Sequence, residues 1–93
     1  MKKQIAILGS TGSIGTQALQ VIDEHPDLFE AYCLTANNRV KELAEQARRY
    51  NPAAVVIANE DKYEELKSLL ADLPDIKVYA GKQAIDEIVE AGR

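Results

Sequence analysis

The stretch Gly9-Ser10-Thr11-Gly12-Ser13-Ile14-Gly15 constrains this chain more than any other. Four apolar residues in a row, Ile5-Ala6-Ile7-Leu8, run into it. An amphipathic stretch runs out of it, with Ile14, Ala18, Val21 and Ile22 expected on one helical face. Strand, glycine-rich turn and helix, in that order, are the setting a phosphate-binding loop needs. Glycine permits a tight turn and lets backbone come close to a pyrophosphate. The unbonded N–H groups of the helix's first turn, at the positive end of its dipole, then face the negative charge. The hydroxyls of Ser10, Thr11 and Ser13 are candidate additional donors. The spacing is G-x-x-G-x-x-G rather than the commoner G-x-G-x-x-G, which implies a turn one residue longer. The same residues also fit a plain strand-to-helix turn that needs glycine for geometry alone.

The rest of the chain repeats the strand–helix alternation. A first strand is expected over Gln4–Leu8, its continuous apolar run predicting burial on both faces. A first helix follows over Ser13–Glu24 and stops at His25-Pro26, because proline cannot continue a helix. A second strand covers Glu30–Thr35, and a second helix Val40–Tyr50, with Val40, Leu43, Ala44 and Ala47 inward. After Asn51-Pro52, Ala53–Ala58 reads as a fully buried third strand. Asn59 suits a helix N-cap, with Glu60 and Asp61 in the first turn. The helix it opens carries Tyr63, Leu66, Leu69, Leu70 and Leu73, and Pro74 closes it. Ile76–Ala80 alternates and reads as a half-exposed edge strand. A last helix covers Lys82–Glu90, with Ile85, Ile88 and Val89 inward and Gly92 as its cap.

Four such units with short connections imply an α/β fold: a Rossmann-like parallel four-stranded sheet with helices on both faces. Residues 1–93 form one dinucleotide-binding domain at most. A chain of this length buries about 60–70% of its unfolded surface. If the strands lie in sequential order, the first is left as an open edge where a doubly wound fold places later strands. This predicts a piece of a longer protein, and an edge that two copies could pair across.

A formal net charge of −4 argues against a general nucleic-acid or anionic-membrane surface. The single cysteine, Cys33, allows no internal disulfide, and it lies in an apolar strand where burial is its plain role. The single histidine, His25, suits a helix C-terminus. With no signal peptide before the first strand and no apolar run of bilayer length, the expected location is the cytoplasm.

The end of the second strand bears on which nucleotide. Domains that bind NAD usually place Asp or Glu there, about 20 residues after the glycines, to bond the ribose 2′-hydroxyl. Here the place reads Leu34-Thr35-Ala36-Asn37-Asn38-Arg39, with no acid. A guanidinium can bind a 2′-phosphate through two charge-assisted bonds, while a carboxylate would repel it. NADP is therefore favoured over NAD, unless Asn37-Asn38 is only a turn and Arg39 a solvated residue.

With Ile7-Leu8-Gly9-Ser10-Thr11-Gly12-Ser13-Ile14-Gly15, His25-Pro26, Phe29, Leu34, Ala36, the Asn37-Asn38-Arg39 loop and Ala54-Val55-Val56, the chain resembles the N-terminal part of the 1-deoxy-D-xylulose 5-phosphate reductoisomerases over essentially its whole length. The resemblance implies an oxidoreductase of isoprenoid biosynthesis by the methylerythritol phosphate route. It would rearrange 1-deoxy-D-xylulose 5-phosphate and reduce the product to 2-C-methyl-D-erythritol 4-phosphate with NADPH, using a divalent metal, Mg²⁺ or Mn²⁺. It implies that Thr11, Gly12, Ser13 and Ile14 hold the cofactor's phosphates, with Gly9 and Ser10 in the same cofactor-binding loop. Asn37, Asn38 and Arg39 would lie at the adenosine ribose and its 2′-phosphate; some members carry Gly-Lys-Asn there. The metal ligands and the sugar-phosphate site belong to a later domain, so no catalytic or metal-binding residue is assigned here. The parent is expected to be a homodimer, and this piece to be inactive alone. Two alternatives stay open: the nucleotide domain of another NADP-dependent enzyme, such as a semialdehyde dehydrogenase, and a stand-alone module that binds a nucleotide and catalyses nothing.

Overall fold

The computed structural model describes the backbone of residues 2–91 and the side chains of residues 2–87. Strands β1 (Lys3–Ile7), β2 (Phe29–Ala36), β3 (Ala54–Ile57) and β4 (Lys77–Ala80) alternate with helices α1 (Ser13–Glu24), α2 (Val40–Tyr50), α3 (Tyr63–Leu69) and α4 (Lys82–Ala91). A short 3₁₀ turn over Glu60–Lys62 precedes α3. The strands form one parallel sheet in the order β1-β2-β3-β4. Right-handed crossovers between sequential neighbours put each connecting helix on the same face. That face carries the larger core: Leu19 and Ile22 of α1, Leu43, Ala44 and Ala47 of α2, and Leu66 of α3 meet Ile7, Leu34, Val55 and Ile57 of the sheet. The opposite face is smaller, with Cys33, Ala54 and Val56 under Ala84 and Ile85 of α4. Helices thus lie on both faces, as expected, three against one.

β3 is buried at every position, as its run of Ala54-Val55-Val56-Ile57 requires. Each of its larger side chains contributes about 1.5–3 kcal/mol through burial. β2 carries an irregularity: Ile5 pairs with Ala31 but Ala6 pairs with Cys33, so Tyr32 is an extra residue opposite β1. The helix ends have local causes. His25 donates its backbone N–H to the Val21 and Ile22 carbonyls and closes α1, as expected of it. Asn51 takes the left-handed conformation (φ 48°) and ends α2 before Pro52. Asn59 Oδ1 accepts from Asp61 N–H at 3.0 Å, which is the predicted cap.

Three expectations are corrected. β1 is not buried on both faces: as an edge strand it exposes Lys3 and Gln4, half-buries Ile5 and Ala6 and buries only Ile7. The inward face of α1 is Gly15, Leu19 and Ile22 with Ala18 beside them; Ile14 and Val21 point to solvent. Ile14 sits in the first turn, where the helix has only the loop beside it, and Val21 is one residue off the 15-19-22 stripe. α3 ends at Leu69. Leu70 and Leu73 still reach the core, from a succession of turns rather than a helix. The inward placement of Ile88 and Val89 and the cap at Gly92 fall outside what is described. None of the described helices is long and apolar enough to cross a membrane.

Candidate nucleotide-binding site

The chain leaves β1 at Leu8, turns at Gly9 in the left-handed region (φ 69°), and enters α1 from Gly12. Gly12 N–H donates to Gly9 carbonyl oxygen at 2.9 Å and closes the turn. Two neighbouring elements pin it. Thr35 of β2 accepts Gly9 N–H on its Oγ1 (2.9 Å) and Ser10 N–H on its carbonyl oxygen (2.8 Å). Gln46 of α2 accepts from Ser10 Oγ at 2.6 Å and donates from Nε2 to the Ser10 carbonyl oxygen at 2.9 Å.

Ser10 is fully buried. Its hydroxyl has one hydrogen to give, and Gln46 Oε1 at 2.6 Å is nearer than the Thr35 carbonyl oxygen at 3.3 Å. In this arrangement Ser10 supports the loop from inside, while Thr11, Gly12, Ser13 and Ile14 form its accessible surface. Thr35 and Gln46 were not singled out from the sequence. They lie 25 to 36 residues from the loop, and nothing in local spacing links them to it.

The first turn of α1 is open. Its N-cap is Gly12, which has no side chain to accept from it, and no acid stands in that turn. The N–H groups of Ser13, Ile14 and Gly15 have no acceptor among the described residues. An anion placed before them would receive several N–H donors and the helix dipole.

The three glycines differ in their reasons. Gly9 needs its positive φ. A Cβ on Gly15 would lie 2.2 Å from the Gly9 carbonyl oxygen and 2.6 Å from Ser10 Cα, so the residue lets the helix seat against the loop. Gly12 has ordinary angles (φ −84°, ψ 175°), and a Cβ there would meet only the Gly9 carbonyl oxygen, at 3.4 Å. Its missing side chain keeps the accessible mouth of the loop free. Leu8 (56% exposed) and Ile14 (82% exposed) flank that mouth with apolar surface.

The second predicted loop, Asn37-Asn38-Arg39, leaves the carboxyl end of β2, the neighbouring strand. Its residues are exposed. The Asn37 carbonyl oxygen accepts Asn59 N–H at 3.0 Å, and Asn38 Oδ1 accepts from Asn59 Nδ2 at 2.7 Å. Arg39 reaches Glu42 at 3.4 Å, a long and exposed contact that leaves the guanidinium largely free. A shallow hollow beside it is lined by Asn38, Arg39, Lys41, Glu42, Lys62 and Glu65, cations and acids together. An apolar hollow of about 570 Å³ lies elsewhere, along the outer side of β4 by Tyr63, Leu70, Leu73 and Tyr79. Cys33 is buried, and burial pushes its thiol up to about 11, so at neutral pH it is neither nucleophile nor ligand.

Comparison with known proteins gives a consistent answer. The sequence profile described as 1-deoxy-D-xylulose 5-phosphate reductoisomerase matches residues 5–93. Relatives of that name from Phocaeicola vulgatus and Bacteroides thetaiotaomicron are 72% and 74% identical over 91 residues, 98% of this chain. The chain spans about a quarter of their length, 24% and 23% respectively. Among solved structures, the Zymomonas mobilis reductoisomerase in complex with NADPH superposes with a TM-score of 0.87 at 38% identity, over 94% of this chain and 23% of that one. A DOX-P reductoisomerase in complex with magnesium superposes with a TM-score of 0.88 at 31% identity, over 95% and 22%.

Proposed function

From the premise that the chain belongs to the 1-deoxy-D-xylulose 5-phosphate reductoisomerase family, we propose that residues 1–93 are the NADPH-binding portion of such an enzyme. The observation that supports this most is the uncapped first turn of α1, held under a loop pinned by Thr35 and Gln46. In this reading Thr11, Gly12, Ser13 and Ile14 hold the pyrophosphate, Gly9 and Ser10 shape the turn beneath it, and Leu8 and Ile14 offer apolar surface to a ring. Asn37, Asn38 and Arg39 receive the adenosine ribose and the 2′-phosphate, with Arg39 reading the phosphate. The acid that would bond a free 2′-hydroxyl is absent from this loop.

The whole enzyme, on this proposal, converts 1-deoxy-D-xylulose 5-phosphate to 2-C-methyl-D-erythritol 4-phosphate in the cytoplasm, as a homodimer. NADPH supplies the hydride when bound. The divalent metal and the sugar-phosphate site belong to the remaining part, where the chemistry takes place. What this chain contributes is binding and orientation: backbone donors fix the pyrophosphate, and a side chain distinguishes the nucleotide.

Calorimetric titration of the chain with NADPH and with NADH tests the reading. The expected result is binding of NADPH, with NADH weaker by about tenfold or more, the value of one lost charged contact. No binding of either, by a chain shown to be folded, would sink the proposal. Equal affinity would remove Arg39 from it.

A further inference from the structure

We propose that Gln46 is a positioning residue that ties the two halves of the site into one unit through α2; this rests on the NADPH-binding reading above. The argument starts from Ser10. A fully buried serine must find partners for its hydroxyl and its carbonyl within the protein. Gln46 supplies both, accepting from the hydroxyl at 2.6 Å and donating to the carbonyl oxygen at 2.9 Å. An amide is suited to this because it carries a donor and an acceptor side by side. A carboxylate could keep the first contact but would set negative charge against the Ser10 carbonyl, and an apolar side chain would leave both groups unpaired.

Gln46 stands on the helix that begins at Val40, directly after Arg39. The other anchor of the loop, Thr35, stands on β2, which runs straight into Asn37-Asn38-Arg39. The phosphate loop is therefore fastened to the same two elements that present the nucleoside-reading loop, one on each side of it. Among these links Gln46 alone is a side chain reaching across from a helix, so it can be removed without altering a strand. Its consequence is geometric. It sets where the donors of the α1 first turn lie relative to Arg39, and hence whether one dinucleotide can meet both.

The test compares three probes in the wild type, Gln46→Met and Gln46→Glu. NADPH and NADH both use the pyrophosphate donors, whereas adenosine 2′-monophosphate has no pyrophosphate and reports the nucleoside end alone. Gln46→Met should weaken NADPH and NADH alike, by about tenfold, as expected for losing a partly buried reciprocal pair. Adenosine 2′-monophosphate should bind as before. Gln46→Glu, keeping one of the two contacts, should fall between. Without any ligand, amide exchange at Gly9 and Ser10 should quicken in Gln46→Met while Val55 and Val56 exchange unchanged. Failure of the wild type to bind NADPH would overturn the underlying reading and this inference with it. Wild-type binding with an unaffected Gln46→Met would overturn this inference alone. So would an equal loss for all three probes, the mark of general destabilisation.

Discussion

The two loops at the carboxyl end of the sheet are built in opposite ways. The first, between Leu8 and Ser13, is fastened by four hydrogen bonds to Thr35 and Gln46 and offers a ligand mainly backbone. The second, Asn37-Asn38-Arg39, is exposed, rests on Asn59, and offers side chains. Backbone donors cannot tell one dinucleotide from another, but they can be placed rigidly. A long cationic side chain is less fixed, yet it distinguishes a phosphate from a hydroxyl. The contrast separates affinity held in common from selectivity, and it can be tested by substitution.

The largest effect is expected where the first loop meets its helix. Gly15→Ala would drive a methyl group onto the Gly9 carbonyl and Ser10 Cα, which cannot move without shifting β1 or α1. We expect a loss of about 3 kcal/mol in chemical denaturation, at the upper end for overpacking. A change below about 0.5 kcal/mol would mean that the helix can slide, and that the loop is less fixed than its bonds imply.

Gly12→Val should act on binding rather than folding. Its angles suit any residue, and the added side chain would project to the accessible mouth. NADPH and NADH should each weaken by about a hundredfold or more, near 2.7 kcal/mol, with thermal stability retained. Retained affinity in the folded variant would place the pyrophosphate elsewhere.

Arg39→Ala addresses the second loop. It should cost NADPH about 1.5–3 kcal/mol and NADH little, with no change in stability. If both cofactors lose equally, Arg39 shapes the loop instead of reading the phosphate.

The smallest effect concerns the far end of α2. Arg48 makes paired bonds to Asp72 at 2.6 and 2.9 Å and one to the Leu69 carbonyl oxygen at 2.7 Å. The hydrogen bond from Arg48 holds the Asp72 carboxyl below its ordinary range. A lowered acid pKa adds stability that is complete above the unfolded value of about 3.9 and disappears as pH falls through the folded one. Asp72→Asn should therefore be slightly less stable than wild type at neutral pH, and the two should converge in acid. Denaturation midpoints followed across the acid range would show it, and a constant gap down to the lowest pH would exclude an ionic origin.

Much of this was legible in the sequence, and what was missed has a common cause. The first two helices run between the residues their breakers and apolar spacing indicated, because those signals are local. The sequential order of strands entered only as a condition, because spacing along the chain does not say which strands pair; the sheet has that order. The burial of β1 was not anticipated, since an apolar run says nothing about which neighbour covers it. Ile14 and Val21 were expected inside because they are apolar, but Gly15 and Leu19 face the sheet. Ser10 was read as a phosphate donor from its place in the motif, whereas its environment is set by Gln46, 36 residues away. Contacts within one turn of chain can be read from spacing; contacts across the sheet depend on register.

Register also gives the extra residue in β2 a meaning beyond local irregularity. A strand is a parity device: inserting one position exchanges odd for even beyond it. Because Tyr32 is supernumerary, Ala31 and Leu34 share the face covered by α1, α2 and α3, and Thr35 falls to the other parity, where its hydroxyl receives Gly9 N–H. Were Tyr32 instead paired as an ordinary strand residue opposite Ala6, Leu34 would turn out of the main core and Thr35 would pass beneath α1, α2 and α3. The glycine-rich loop, though distant from position 32 in sequence, thus takes its Thr35 anchor from a strand whose facing the bulge at Tyr32 keeps in step.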